Sequence, residues 1–207
     1  MLRRVLACSL VIMATAACTE SNGATDVGSR FILSADYPLP VVDSDQPELP
    51  ATVKDASDTS VTVNDASRIV VLNQAVAEIV ISLGMQGNII GRDATTTLES
   101  LQGVEEVSNG HDVSAESVLS LRPTVVIGDT RTGPPEAIEQ LRGAGVPVII
   151  APEVWTLSAL PARVMLIASA LGVPMAGERL VDLSESAIDD ALKNIGAASS
   201  VLRVAFL

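Results

Sequence analysis

The chain has 207 residues, of which 48% are hydrophobic and 2% aromatic, and its 25 acidic and 13 basic side chains give a formal net charge of −12. The length suffices for one α/β domain with a tail, or for part of a two-lobed protein. A core this poor in aromatics must be built from Val, Ile, Leu and Ala, which is typical of parallel sheets covered by helices. The acidic charge argues against nucleic-acid binding, because nothing here neutralises a run of phosphates.

The N-terminus has the pattern of an export signal. Two arginines precede an apolar stretch over residues 5–14, which is too short for a permanent transmembrane helix, and small residues then lead to Cys18. We therefore predict a lipoprotein signal peptide over residues 1–17, with Cys18 becoming the acylated first residue. Ordinary cleavage near Ala17 is the alternative. The other cysteine, Cys8, leaves with the signal, so acylation of Cys18 would rule out disulfides and cysteine metal clusters in the exported chain.

Residues 18–66 are predicted to form a flexible tether between a membrane and a folded domain. The segment is rich in Ser, Asp, Thr and Ala, and four prolines interrupt its periodicity. One short strand is expected near residues 60–63.

From residue 67 onward, strand and helix patterns alternate. Strands are predicted at residues 68–72, 88–91, 104–107, 124–127 and 146–150. Helices are predicted at residues 74–83, 114–121, 134–144, 157–171 and 174–195. This alternation predicts an α/β fold, with a parallel sheet covered by helices on both faces and binding groups in the loops after the strands. Residues 201–207 have the pattern of one more strand.

Four segments resemble the periplasmic substrate-binding proteins of siderophore, cobalamin and haem ABC importers. They are RIVVLNQAVAEIVISLG at 68–84, SAESVLSLRPTVVIGD at 114–129, GPPEAIEQLRGAGVPVIIAP at 133–152 and LIASALGVPMAGERL at 166–180. The resemblance covers residues 66–207. Within the family, the run NGHD followed by SAESVLSL and then GPPE is most similar to haemin-binding lipoproteins of Gram-positive actinobacteria.

The resemblance implies two Rossmann-like α/β lobes joined by a long helix, with ligand held in the cleft between them. On this basis residues 67–172 are expected to form the N-terminal ligand-binding lobe and residues 173–196 the connecting helix. Residues 200–207 would begin a C-terminal lobe, the rest of which is missing from the sequence, so the chain is expected to be truncated.

The resemblance also implies that His111, the only histidine, is an axial ligand of haem iron. A tyrosine of the second lobe, beyond the last residue, would supply the other axial ligand. Neutral imidazole is a suitable iron ligand, Gly110 allows the backbone to approach a flat molecule, and Asp112 is placed to orient the other ring nitrogen. The alternative is an exposed loop histidine beside the helix-capping residues Asp112 and Ser114.

Four more residues are candidates for ligand binding: Asn73, Arg92, Arg131 and Trp155. The two arginines are suited to the propionates of haem, since a guanidinium holds a carboxylate through two parallel hydrogen bonds. Trp155 is suited to stacking on a porphyrin, and Asn73 lies in the loop after the first strand of the lobe. Solvated loop arginines and a packing role for the tryptophan are the alternatives.

In the family, a glutamate on each lobe pairs with arginines of the membrane permease. The first-lobe glutamate matches Glu116, and Glu78 is a weaker alternative. An acidic residue in the first turn of a helix is also favoured by the helix dipole, and the two roles are compatible.

The sequence thus predicts a monomeric, lipid-anchored, extracytoplasmic protein that carries haem to an ABC importer. Haem is the cargo, and no catalytic cofactor is expected. A ferric-siderophore or cobalamin carrier is the alternative within the family. A secreted α/β enzyme and a haem-binding surface protein without a permease are alternatives of other classes. The enzyme is disfavoured because the sequence has one histidine, no phosphate loop and no GxSxG elbow.

Overall fold

The computed structural model describes residues 40–43, 46–109 and 112–195. The strands in these ranges are β1 (Ala51–Lys54), β2 (Ser60–Val63), β3 (Ile69–Val71), β4 (Ile89–Arg92), β5 (Glu105–Glu106), β6 (Ser108–Asn109), β7 (Asp112–Val113), β8 (Val125–Asp129) and β9 (Val148–Ala151). The α-helices are α1 (Gln74–Ser82), α2 (Ala115–Ser120), α3 (Pro135–Gly143), α4 (Leu160–Ala170) and α5 (Pro174–Ile195). The signal peptide, Cys18 and the strand predicted at residues 201–207 lie outside the described residues. No helix within the described ranges is both long and apolar enough to cross a bilayer.

Five parallel strands form the central sheet, in the order β5-β4-β3-β8-β9. The chain runs outward from β3 through β4 to β5, then returns to the other side of β3 for β8 and β9. This reversal of direction opens a crevice between the carboxyl ends of β3 and β8, the place where open α/β sheets bind ligands. The predicted α/β fold with a parallel sheet is confirmed.

The sheet carries a hydrophobic core on each face, because successive strand residues point to opposite sides. Ile69 and Val71 of β3 belong to the core that α1, α4 and α5 cover. Val70, between them, belongs to the core that α2 and α3 cover. Each such side chain is fully buried, which contributes roughly 1.5–3 kcal/mol per residue. The helices therefore lie on both faces, as predicted.

Two glycines permit the close packing around α4 and α5. Gly172 ends α4 with a φ of +76°, and a Cβ there would lie 2.7 Å from the carbonyl oxygen of Glu48. Glu48 in turn donates its backbone N–H to the Gly172 carbonyl at 2.7 Å. Within α5, a Cβ on Gly177 would lie 2.5 Å from the Cβ of Ala168. The two helices thus approach so closely that no side chain fits between them at this point.

A hairpin formed by β1 and β2 packs against the lobe within the segment predicted as a tether. The strand expected near residues 60–63 is confirmed, and its Val61 and Val63 are buried in the core. Its partner β1 was not predicted, and residues 51–66 are not a tether. The hairpin packs on α4 and is joined through Asp55 to Arg142 of α3 and Ile150 of β9, all of them distant residues that local composition does not reveal.

Asp55 joins this hairpin to the sheet. One carboxylate oxygen accepts hydrogen bonds from the backbone N–H and the hydroxyl of Ser57 and from the Thr59 N–H, at 2.7–3.0 Å. The other accepts from an Arg142 Nη2 and from the Ile150 N–H, both at 3.1 Å. The side chain is fully buried, so the ion pair and the backbone donors replace its lost solvation.

Asp55→Ala is therefore expected to lower the free energy of unfolding by about 3–5 kcal/mol, because it leaves Arg142 and buried N–H groups without their acceptor. Asp65→Ala is the matched control, since Asp65 makes the same kind of turn with Ser67 but is exposed. Urea denaturation of both variants measures the difference. Equal losses in the two variants would contradict the role given to Asp55.

Candidate ligand-binding site

The crevice at the carboxyl ends of β3 and β8 holds a depression of about 220 Å³, called here the switch-point depression. Its polar lining comes from the loops after three strands and from α4. Its polar and charged lining residues include Asn73, Asp93, Asp129, Arg131 and Arg163. The site therefore lies where the topology of the sheet predicts it.

Arg163, on α4, is the central side chain of this depression. Its side chain is only 6% exposed, and an Nη2 lies 3.5 Å from Oδ2 of the equally buried Asp129. The same guanidinium donates to the Pro152 carbonyl at 3.2 Å and to the Asn73 side-chain oxygen at 3.3 Å. One arginine thus connects the loop after β3, the end of β8 and the loop after β9.

Arg163 was missed by the sequence analysis. It lies in the apolar helical segment LPARVMLIASA, where an arginine is normally assigned to a solvated face. Its apolar neighbours in the sequence could have indicated that it is buried, since Val164 and Ile167 of the same helix belong to the core. A charge in such a segment needs a partner, and that partner, Asp129, lies on a strand far away in sequence.

Asn73, predicted as a binding residue, borders the switch-point depression. Its side-chain oxygen caps α1 by accepting the Val76 N–H at 2.8 Å. Its Nδ2 and the Nε of Arg163 are both buried and have no hydrogen-bond partner among the described residues. An unpaired buried donor costs about 1–3 kcal/mol, so the contact between Asn73 and Arg163 is maintained at some cost to the stability of the fold.

A second depression of about 320 Å³, called here the rim depression, shares Arg131 and Arg163 with the first. The predicted residue Arg131 is two-thirds exposed, and its Nε lies 3.3 Å from a Glu153 oxygen that also accepts the Thr130 hydroxyl at 3.0 Å. Trp155 also borders the rim depression and is 81% exposed. The alternative of a packing role for this tryptophan is therefore not supported. Its exposed indole is available to a ligand.

Arg92 borders neither depression. Its side chain is 11% exposed, and an Nη2 lies 2.6 Å from Glu106. The guanidinium also donates to the carbonyls of Leu101 at 3.0 Å and Thr96 at 3.1 Å. These contacts place Arg92 in the loop structure beside β4, and its predicted contact with ligand stays a prediction.

His111, with Gly110, lies outside the described residues. The strands that flank it, β6 and β7, pair Ser108 with Val113. Ser108 donates its hydroxyl to Asp93 at 2.8 Å, and Val113 borders the switch-point depression. Both flanks of the histidine are therefore attached to the edge of the site, while its metal-binding role stays a prediction.

Glu116 lies in the first turn of α2 and is exposed, and Ser114 caps that helix by accepting the Ser117 N–H at 3.1 Å. Glu78, the alternative, is half-buried, accepts the Gln74 side-chain amide at 2.9 Å and borders the rim depression. Of the two acids, Glu116 is the one that presents its carboxylate to solvent away from the crevice.

Sequence comparison identifies the fold that carries this crevice. The family model described as periplasmic binding protein matches residues 69–204, which is more than half of the chain. The chain belongs to the periplasmic binding protein family. The family resemblance predicted from the four sequence segments is therefore confirmed.

Several members of known structure are similar to this lobe. The haem-binding protein HmuT is 35% identical, with a TM-score of 0.71 over 75% of this chain and 52% of its own. The periplasmic haem-binding protein RhuT from Roseiflexus sp. RS-1 is 37% identical, with a TM-score of 0.62 over 66% of this chain and 52% of its own. A substrate-binding lipoprotein of an ABC transporter, YvrC of Bacillus subtilis, is 28% identical over 59% of this chain and 40% of its own. The chain thus spans about half the length of these relatives or less.

The contacts of Arg92 predict a mainly structural contribution. Arg92→Met should lower the free energy of unfolding by about 2–3 kcal/mol, because it leaves buried carbonyls without a charged donor. Arg131→Met is the control and should change it by less than about 0.5 kcal/mol, since that side chain is exposed. Denaturation curves of both variants test this, and an unchanged stability in Arg92→Met would count against the structural role.

Proposed function

We propose that the protein captures haem outside the cytoplasm and delivers it to an ABC importer. The observation that carries the proposal is the crevice itself, in which an exposed indole and two arginines surround an open depression. A porphyrin is flat, apolar and carries two carboxylates, so it needs an aromatic surface and cationic donors side by side. The similarity to HmuT and RhuT, both haem-binding proteins, supports the same cargo.

Within this proposal, His111 is an axial ligand of the haem iron. It is the only histidine, and its flanking strands are attached to the edge of the crevice through Ser108 and Val113. A neutral imidazole binds iron at physiological pH without a further partner, which makes this residue a sufficient ligand from one side of the porphyrin.

The same proposal makes the protein a carrier and not an enzyme, anchored through acylated Cys18 at the outer face of the plasma membrane. Similarity to a substrate-binding lipoprotein supports the export and the anchor. Glu116 is proposed to dock on an arginine of the permease, because it is exposed on α2 and is separate from both depressions. A single copy of the protein is sufficient for each of these steps.

Haemin titration tests the cargo and the role of His111. The complete protein should give a Soret shift with haemin, and His111→Gly should bind at least about tenfold more weakly with altered ligation. Added imidazole should restore the wild-type spectrum to His111→Gly, which a general loss of structure would not allow. Identical spectra for the two proteins would remove His111 from the site. Binding of a ferric siderophore or cobalamin in place of haemin would overturn the haem assignment.

Glu116→Ala should leave haemin affinity unchanged and slow haem uptake several-fold in cells that depend on this importer, because a charge pair with the permease is lost. The matched control is Glu139→Ala, which removes an exposed acidic residue from the neighbouring helix α3. Uptake rates with labelled haem measure the effect. The docking role is excluded if the two variants take up haem at the same rate.

A further inference from the structure

The base of the β6–β7 hairpin, where Ser108 pairs with Val113, is attached to the loop after β4 through the Ser108 side chain. The Ser108 hydroxyl donates to Oδ2 of Asp93 at 2.8 Å and accepts the Ala94 N–H at 3.1 Å. Ser108 is half-buried, and Asp93 is buried. A hydrogen bond to a carboxylate is stronger than one between neutral groups, so this contact is suited to holding the hairpin in place.

Asp93 is itself fixed by contacts within its own loop and with the sheet. Its Oδ1 accepts the Thr95 N–H at 2.7 Å and also the Thr95 hydroxyl, which forms a turn closed by the aspartate side chain. The Asp93 N–H donates to the Val71 carbonyl of β3 at 3.0 Å. The carboxylate that binds Ser108 is therefore positioned by the central sheet.

The second strand of the hairpin is attached through its backbone. Val113 donates its N–H to the Gly133 carbonyl at 2.9 Å, and Asp112 pairs with Gly133 as an isolated parallel bridge. The next residue, Ser114, donates its N–H to the Val107 carbonyl at 3.1 Å. The hairpin thus contacts the loops after β4 and after β8, and both of these loops border the switch-point depression.

The connection at the tip of the hairpin is short. Two residues, 110 and 111, separate the paired Asn109 and Asp112 in the sequence. Consecutive Cα atoms of a chain are about 3.8 Å apart, so the positions of Asn109 and Asp112 limit where the side chain of residue 111 can reach. A displacement of the hairpin base would therefore also displace residue 111.

We propose that Ser108 is a positioning residue for the axial ligand. Its hydrogen bond to Asp93 fixes the base of the hairpin, and the hairpin sets the distance and orientation of the His111 imidazole relative to the iron of bound haem. This inference rests on the proposed function, in which His111 is that ligand. Residues outside the coordination sphere orient metal ligands in this way, and their loss weakens the metal–ligand bond.

A double-mutant cycle in the complete protein tests whether Ser108 acts through His111. Ser108→Ala should bind haemin roughly three- to tenfold more weakly than the wild type, with a Soret spectrum that contains a second ligation state. In the His111→Gly background, the same change should alter haemin affinity by less than about twofold, because no imidazole remains to be positioned. Added imidazole should bind the haemin complexes of His111→Gly and of the double variant equally tightly, since a free ligand does not depend on the hairpin.

Ser67→Ala is the matched control, because Ser67 also donates its hydroxyl to a carboxylate, that of Asp65, at 2.9 Å. That pair is exposed and precedes β3, so haemin affinity and the Soret spectrum should equal those of the wild type. Ser108→Thr retains the hydroxyl and should restore the wild-type spectrum. This rescue separates the hydrogen bond from a general effect of substitution at the position.

Equal losses of haemin affinity in the wild-type and His111→Gly backgrounds would overturn the positioning role, since Ser108 would then act independently of His111. A wild-type affinity and spectrum in Ser108→Ala would also overturn it. Both outcomes leave haem as the cargo. Failure of the wild type to bind haemin, or identical spectra with and without His111, would instead overturn the proposed function and the positioning role together.

Discussion

The buried ion pair between Arg163 and Asp129 joins α4 to the end of β8 at the centre of the site. Removing the partner of a buried charge typically costs about 3–5 kcal/mol, so these two side chains constrain each other strongly. The same Nη2 also donates to the Asn73 side-chain oxygen at the start of α1, and Nη1 donates to the Pro152 carbonyl after β9. The geometry of the crevice therefore depends on a charge that the lobe itself must neutralise. Side chains fixed by several partners have little freedom to rearrange, which keeps the crevice in one arrangement.

The two edge strands of the central sheet are protected from pairing with other chains. Strand β9 is an edge strand, and an exposed edge is both mobile and prone to pair with other chains. Here Ala56 donates its N–H to the Ile150 carbonyl at 2.8 Å, and Asp55 accepts the Ile150 N–H. The N-terminal hairpin thus covers part of one edge. At the other edge, β5 has only two residues and leaves little backbone open to pairing. The hairpin is part of the folded lobe, and it stabilises the strand that precedes Trp155.

Local signals were enough to predict most of the α/β lobe, because helix caps, helix-ending glycines and buried strands are encoded within a few residues. Ser114 and Gly172 were assigned correctly on this basis. The features that were not predicted, strand β1 and the buried Arg163, share one cause: the residues that they contact are far away in the sequence. Strand β1 packs against α4, which lies about a hundred residues further along the chain, and Arg163 pairs with the distant Asp129. Trp155 was placed in the correct loop, but its exposure could not be deduced from its neighbours in the sequence.

The openness of the two depressions limits how much of a bound molecule the described residues can cover. Both are open to solvent, and Trp155 is largely exposed, so a small molecule bound there would keep part of its own surface exposed to solvent. High affinity for a small molecule normally requires burial of most of its surface. The described residues line only one side of these depressions and do not enclose them. Contacts made by the described residues therefore supply only part of the surface burial that tight binding of a small molecule requires.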